Sequence, residues 1–261
     1  MSKPSGAARE LPIDAVLGVV QAIDLMSYNS DEENSAELWY RLLNCGLKLS
    51  ACVGTDALLD RSTEPLGGDR VYVKTNSPLT MENWLNGLKQ GHSFVTNGPI
   101  PTLKVNSSDV GETCHLNGPG TVQVTATVES YVPFDRIEIL VNGQVVSQDQ
   151  LPESNTAELR IHQRELKVEI DRSSWIALRV RGPDHPLVFD GPAWAHTSPV
   201  YVEVAGQKIS SPEDAAYFVD WIEQLLRVVA ARNRYATVED RQGVEALFRK
   251  AQNEYRKLAN P

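Results

Sequence analysis

An aspartate at the end of an apolar segment is the residue of this sequence best suited to chemistry. Residues 49–57 read Leu-Ser-Ala-Cys-Val-Gly-Thr-Asp-Ala, so Asp56 follows a short β-type run and Gly54. The loops after parallel strands form the sites of α/β proteins, and Gly54 would let the backbone turn without a Cβ clash. We therefore predict that Asp56 is a metal ligand. The alternative is an aspartate that caps a helix or a turn.

Further metal ligands do not occur in a recognisable motif. The sequence contains no His-x-His, His-Glu-x-x-His or Cys-x-x-Cys, and its five histidines are scattered singly. His185 and His196 are predicted to lie in Pro-rich loops, with Asp184 and Asp190 nearby, and are candidate cation ligands. Such residues more often make loop hydrogen bonds. His92 is predicted to open a strand at the opposite, amino-terminal rim, as an ordinary polar residue.

Other polar residues are predicted to line the same cleft as Asp56. They stand where predicted strands begin or end, and the carboxyl ends of parallel strands meet at one edge of a sheet. These candidates are Tyr28, Asn29, Thr55, Arg70 and Asn97. The alternative is a set of caps and turns.

Four further segments accompany Asp56 in a characteristic order. They are Trp39-Tyr-Arg-Leu-Leu-Asn-Cys-Gly46, Gly67-Gly-Asp-Arg-Val-Tyr-Val73, Leu79-Thr-Met-Glu-Asn-Trp84 and Gly91-His-Ser-Phe-Val-Thr-Asn-Gly-Pro99. With them, residues 11–146 resemble the carboxyl-terminal part of the PHP-type metal-dependent hydrolases of the CehA/McbA group, the relatives of carbaryl hydrolase. The resemblance implies a PHP-type α/β barrel and divalent metal ions, zinc or manganese. Such metals activate water for attack on an ester, a carbamate or a phosphoester.

The resemblance also shows what this sequence lacks. PHP enzymes carry an amino-terminal His-x-His, further His and Glu ligands, and a late Gly-Ser-Asp-x-His. Only the Asp of that last motif matches, at Asp56, and Leu58 stands where its His is expected. The expected site is therefore incomplete on this chain, and the expected partner is a missing amino-terminal half, a second chain or a second copy in a homodimer. The alternative is a non-catalytic remnant or accessory chain that binds a partner or a carbohydrate.

Composition argues for a folded protein and against nucleic-acid-binding and membrane-spanning proteins. The chain has 261 residues, of which 41% are hydrophobic and 23% charged, as in ordinary folded proteins. Its formal net charge of −9 argues against nucleic-acid binding, which needs a basic face. No run approaches the roughly 18 apolar residues of a membrane span. We expect a cytoplasmic protein with buried free cysteines, or a secreted one if an amino-terminal segment is missing.

Residues 1–97 are predicted to form a sector of a PHP-like α/β barrel. Apolar runs and amphipathic segments alternate as β-α-β-loop-β-α-β, which is typical of a parallel sheet. Asn34 or Ser35 is expected to cap the first helix, and Thr80 the second. A closed eight-stranded barrel needs about 250 residues, so this segment is too short to close one.

Residues 98–207 are predicted to form an antiparallel, immunoglobulin-like β-sandwich. Seven or so short strands are separated by turns, and Asn142-Gly143 is a strong hairpin signal. Separate strands are expected at 157–161 and 166–170.

Residues 208–261 are predicted to form a helical hairpin. Ser211-Pro-Glu-Asp214 and Thr237-Val-Glu-Asp240 have the form of capping boxes, and an apolar stripe follows each of them. We expect the first stripe, with Phe218 and Ile222, to cover the apolar face of the α/β sector.

Overall fold

The computed structural model describes residues 9–27, 31–58, 60, 66–75, 78–152, 158–189 and 191–260. Within these ranges the chain forms five helices and fourteen strands. The helices are α1 (Leu11–Val16), α2 (Glu32–Asn44), α3 (Met81–Lys89), α4 (Pro212–Arg232) and α5 (Val238–Ala259). The strands are β1 (Ala22–Asp24), β2 (Ser50–Cys52), β3 (Arg70–Val73), β4 (Ser93–Thr96), β5 (Ile100–Val105), β6 (Ser108–Asp109), β7 (Thr113–Leu116), β8 (Gly120–Ser130), β9 (Arg136–Val141), β10 (Gln144–Gln150), β11 (Arg160–Ile170), β12 (Ser174–Asp184), β13 (Pro192–Thr197) and β14 (Val200–Val204). The fold is mixed α/β and rich in strands, and the described residues include no closed barrel.

The first β-α-β unit is parallel, as predicted. β1 pairs with β2 in parallel, with Asp24 opposite Cys52 at the carboxyl ends. α2 connects the two strands, and Asp31 rather than Asn34 or Ser35 is its N-cap. The Asp31 side chain accepts a hydrogen bond from the Asn34 main-chain N–H at 3.0 Å. The predicted cap was wrong because Glu32 and Glu33 already belong to the first helical turn.

Serine hydroxyl groups connect this two-stranded sheet to the larger one. Ser198 Oγ accepts a hydrogen bond from the Ala51 main-chain N–H at 2.9 Å. Ser93 Oγ donates to the Ala51 carbonyl oxygen at 2.9 Å, and the two serine oxygens are also 2.9 Å apart. These hydroxyls satisfy main-chain groups of β2 that no neighbouring strand reaches, so β2 and β4 lie side by side without a ladder between them.

The second β-α-β unit differs from the prediction. β3 and β4 are antiparallel, with Arg70 opposite Thr96 and Val73 opposite Ser93. The intervening α3 begins and ends near the same end of the strand pair, where the Lys74 N–H donates to the His92 carbonyl at 2.8 Å. A Cβ on Gly87 would lie 2.7 Å from the Lys74 carbonyl oxygen, so a glycine is required for α3 to pack this closely on the end of β3. The helix therefore does not cross the sheet as a parallel connection requires.

Two larger sheets share one apolar core. The eight-stranded sheet has the order β10-β9-β12-β13-β4-β3, with β14 beside β12 and β7 beside β14, and the four-stranded sheet has the order β11-β8-β5-β6. Val124 of β8 lies in the same buried cluster as Ile139 of β9 and Leu178 of β12. The predicted hairpin is present, since β9 and β10 flank Asn142 and Gly143, both at positive φ. The assignment to the immunoglobulin-like class stays a prediction.

Two strand predictions in this region were wrong. The strands expected at 157–161 and 166–170 are the single strand β11, which pairs with β8 over its whole length. Its polar middle residues face outward, so they do not interrupt the strand. The Pro-rich segment around His196 is also a strand, β13, because it pairs with both β12 and β4. Through β13 and β4, the eight-stranded sheet combines residues from both sides of the boundary predicted at 97.

The carboxyl-terminal hairpin of α4 and α5 is confirmed. The Ser211 and Thr237 side chains cap the two helices as predicted, and Thr237 forms a complete capping box. The same buried cluster contains Ile23 of β1, Phe218 and Ile222 of α4, and Tyr255 of α5. The helices therefore share one core with the β1–β2 unit, and their main contacts outside the hairpin are with α1 and α2. Direct cover of the β1–β2 face by the hairpin stays a prediction. Among the described residues, no helix is both long and apolar enough to cross a membrane.

Candidate functional site at the carboxyl edge of the parallel strands

Asp56 lies where the sequence placed it, just beyond the carboxyl end of β2. It is exposed and adopts a left-handed backbone conformation, with φ of +55°. This conformation strains residues other than glycine, although aspartate tolerates it better than most. Gly54, by contrast, has no positive φ, and a Cβ there would meet no atom within 4 Å. The expected role of Gly54 was therefore wrong, because the turn is made at Asp56 itself.

A second carboxylate accompanies Asp56. Asp24 ends β1, the parallel neighbour of β2, so both acidic residues lie at the same edge. Burial of its carboxyl group and, less strongly, the negative charge of Asp56 raise the pKa of Asp24 to about 6. Hydrogen bonds from the main chain of Met26 and Gly54 oppose this shift. The residue as a whole is still solvent-accessible, so a cation can approach it.

The thiol of Cys52 belongs to the same edge. It is half-buried and lies in register with Asp24. Burial and, more weakly, the charge of Asp24 raise the pKa of the Cys52 thiol. The thiol is therefore protonated at neutral pH and is not an activated nucleophile. Cys45 and Cys114 are buried free thiols, as expected.

Thr55 and Arg70 form hydrogen bonds with the main chain of the segment just before β3. The Thr55 hydroxyl donates to the Asp69 carbonyl oxygen and accepts from the Gly67 N–H, both at 3.2 Å. The Arg70 guanidinium donates to the Gly67 carbonyl oxygen at 3.1 Å, and its Nε is buried without a hydrogen bond to any described residue. Two of the predicted cleft residues thus bind the short segment of residues 67–69 that precedes β3.

Asn97, another cleft candidate, is not part of this arrangement. Asn97 is buried, and its side chain accepts from the Trp194 N–H at 2.7 Å and donates to the Pro192 carbonyl at 3.0 Å. It therefore fastens the end of β4 to β13. Tyr28 and Asn29 lie outside the described residues.

His196 is buried in the protein interior. It accepts a hydrogen bond at Nε2 from the Tyr40 hydroxyl at 2.6 Å, while its Nδ1–H donates to the Thr197 carbonyl at 2.8 Å. Burial, with the charges of Arg179 and Arg181, lowers the pKa of His196 to about 3. The imidazole is therefore neutral, and both of its nitrogens already have partners. It connects α2 to β13 and is not available as a metal ligand.

The other histidine candidate lies far along the chain in the loop after β12. His185 Nδ1 accepts a hydrogen bond from the Leu187 N–H at 3.2 Å, which is the loop role that the alternative interpretation expected. An open pocket of about 470 Å³ is lined by Asp184 and His185. Asp190, the third member of this candidate site, lies outside the described residues.

Asp24 is the site residue that sequence reasoning missed. It stands inside a run, Ala22 to Tyr28, that reads as one continuous strand. The available signal was an acidic residue between the apolar Ile23 and Leu25, which is unfavourable in a buried strand unless the strand ends there. In the described part of the chain, no group of three or more His, Cys, Asp or Glu side chains is placed to hold a metal ion.

Comparisons with protein-family models, with curated proteins and with solved structures give no match for this chain.

Proposed function

We propose that this chain is the carboxyl-terminal portion of a CehA/McbA-like PHP metallohydrolase and that Asp56, together with Asp24, holds a divalent cation. The observation that carries the proposal is the pair of carboxylates at the carboxyl edge of parallel strands, the edge at which α/β folds bind ligands. The motifs around Trp39, Gly67, Leu79 and Gly91 support it by their resemblance to this group.

The residues present fit part of a metal site. Two carboxylates close enough for one to raise the pKa of the other create a negative potential that a cation would relieve. Oxygen ligands suit manganese, and zinc sites usually have three or more protein ligands, including nitrogen or sulfur. Asp24 and Asp56 therefore provide a partial site, which ligands from an amino-terminal half, a second chain or a second copy would complete.

Each residue of the edge has a defined part in this proposal. A bound cation would supply a water of lowered pKa for attack on an ester, a carbamate or a phosphoester. Asp24 and Asp56 would hold the cation from two neighbouring strands. Thr55 and Arg70, which bind the main chain of residues 67–69, would form one side of the entrance for a substrate.

The same proposal assigns the two parts of the fold to known domain types. The parallel β1–α2–β2 unit would be a sector of a PHP-type barrel, supported by the position of Asp56 after its second strand. The facing four-stranded and eight-stranded sheets would be the immunoglobulin-like domain that follows the barrel, supported by their common core.

Metal binding by the purified chain tests this function. We expect Mn²⁺ or Zn²⁺ to bind weakly, Asp56→Ala to abolish binding, and the matched substitution Asp171→Ala, at an exposed turn, to leave it unchanged. Hydrolysis of model esters and phosphoesters should not exceed background. Tightly bound stoichiometric metal after dialysis would show that the site is complete on this chain, and binding unaffected by Asp56→Ala would show that it lies elsewhere.

A non-catalytic accessory protein is the second candidate. The small number of acidic ligands favours it, because the described part of the chain brings only two carboxylates to the carboxyl edge of β1 and β2. In that case the sheets and helices would bind a partner or a carbohydrate. The two candidates differ in the metal experiment, since the accessory protein predicts no Asp56-dependent binding.

A further inference from the structure

A pocket of about 330 Å³ lies at the amino-terminal ends of β2 and β4. Its lining includes Lys48, Ser50, Lys89, Gly91, His92 and Tyr201. Ser50 is the first residue of β2, and His92 directly precedes β4, as the sequence predicted for the amino-terminal rim. The pocket is thus at the opposite end of β2 from the edge that carries Asp56.

Two lysine ammonium groups contribute to this pocket. Lys48 Nζ donates to Thr113 Oγ1 at 3.1 Å and lies 4.5 Å from the centroid of the Tyr201 ring. Neither Lys48 nor Lys89 forms a salt bridge with a described carboxylate, although the chain has a net charge of −9. An ammonium group has three hydrogen-bond donors, so Lys48 retains donors beyond its bond to Thr113.

The hydroxyl groups of two largely buried residues complete the set of donors. Ser50 is 2% exposed and Tyr201 is 5% exposed, and both line the pocket. Neither hydroxyl makes a hydrogen bond to another part of the described chain. Burial raises the pKa of the Tyr201 phenol, so it keeps its proton and can donate at neutral pH. A hydroxyl group can donate one hydrogen bond, so both groups remain free to donate to a ligand in the pocket.

We propose that this pocket binds a small oxyanion of the phosphate class through Lys48, Lys89, Ser50 and Tyr201. Phosphate is favoured over a carboxylate because the donors come from three separate segments, and phosphate oxygens are strong acceptors on several sides. The volume is near the lower limit of about 300 Å³ for ligand pockets, which suits inorganic phosphate or a small phosphorylated molecule.

This site is independent of the proposed metal edge. The metal edge lies at the carboxyl ends of β1 and β2, and the pocket includes neither Asp24 nor Asp56. Phosphate binding can therefore be present or absent whatever the outcome of the metal experiment.

Isothermal titration calorimetry of the full chain with inorganic phosphate, at constant ionic strength set with chloride, tests the proposal. We expect one saturable site, a loss of affinity of about tenfold or more for the double variant Lys48→Gln/Lys89→Gln, and a smaller loss for Tyr201→Phe. Lys167→Gln changes another exposed lysine, on β11, and should leave binding unchanged. Both pocket lysines are exposed, so the double variant is expected to fold, which circular dichroism checks.

Three results would overturn the proposal. The first is the absence of saturable phosphate binding beyond that of chloride. The second is a double variant that binds phosphate as tightly as the Lys167→Gln control. The third is acetate binding as tightly as phosphate, which would contradict the assignment to the phosphate class.

Discussion

Replacing Glu138 by glutamine should destabilise the protein, because it breaks a buried ion network that holds α2 on the eight-stranded sheet. Glu138 is 3% exposed, and its carboxylate accepts from Arg179 Nε at 2.6 Å and from Arg181 Nε at 3.2 Å. Glu33 of α2 binds the same two guanidinium groups, with Arg181 Nη2 at 2.7 Å and Arg179 Nη1 at 3.5 Å. Because α2 connects β1 to β2, this network also helps to position the carboxyl edge.

The expected loss follows from the burial of Arg179. Removing one partner of a buried pair costs about 3–5 kcal/mol, since the other charge stays buried without compensation. Here the half-exposed Glu33 remains as a partner, so we expect the lower end, about 3 kcal/mol. For a chain of this size, such a loss lowers Tm by roughly 6–12 °C.

Urea denaturation followed by circular dichroism measures this change. Glu165→Gln, an exposed substitution on β11, is the matched control and should shift the free energy of unfolding by less than about 0.5 kcal/mol. If Glu138→Gln changes stability as little as Glu165→Gln does, the network does not hold α2 on the sheet, and the reasoning from burial is wrong.

Three other predictions concern the core beneath the candidate site. Tyr40→Phe should cost about 1–3 kcal/mol in urea denaturation, because Nε2 of the buried His196 loses its donor, and a cost near zero would contradict this. The pKa of His196 is about 3 in the folded protein, against an ordinary value of 6.5, so the unfolded state takes up a proton first as the pH falls. The free energy of unfolding should therefore decrease as the pH decreases from 6.5 to 3, and His196→Gln should reduce this loss. Between pH 3.8 and 6, the raised pKa of Asp24 has the opposite effect on stability, because there the folded state takes up the proton first. Both proteins contain Asp24, so an equal pH dependence of the wild-type and His196→Gln proteins would refute the assignment to His196. Deleting residues 208–261 uncovers the cluster that contains Phe218 and should cause association in light scattering, whereas a monomer of undiminished Tm would show that the hairpin is dispensable.

The elements that the sequence predicted well are those with local signals. β1, α2 and β2 follow from short apolar runs and an amphipathic segment, and the caps at Thr80, Ser211 and Thr237 follow from side chains that bond within their own turn. The hairpin at Asn142-Gly143 also depends only on its two central residues. In each case the interactions that define the element lie within a few residues of one another.

The elements that the sequence did not predict depend on distant partners. β13 has no alternating pattern and begins at Pro192, yet both of its neighbours, β12 and β4, supply hydrogen bonds to it. The antiparallel direction of β3 and β4 is accompanied by the close packing of Gly87 on Lys74, and no periodicity in the sequence reveals either of them. Asp24 was missed for a similar reason, because only the pairing of β1 with β2 brings it to the edge beside Asp56.

The titration of the Asp24 carboxyl group, followed by carbon NMR with and without Zn²⁺, tests the central claim most directly. Without metal, the resonance of Asp24 should titrate near pH 6, and Asp56→Asn should lower that pKa because it removes a neighbouring negative charge. Zn²⁺ should lower the pKa of Asp24 in the wild-type protein and have little effect in Asp56→Asn, since a shared cation favours the ionised form of both carboxylates. A titration of Asp24 that does not respond to Zn²⁺ would contradict the claim that the two aspartates hold one cation.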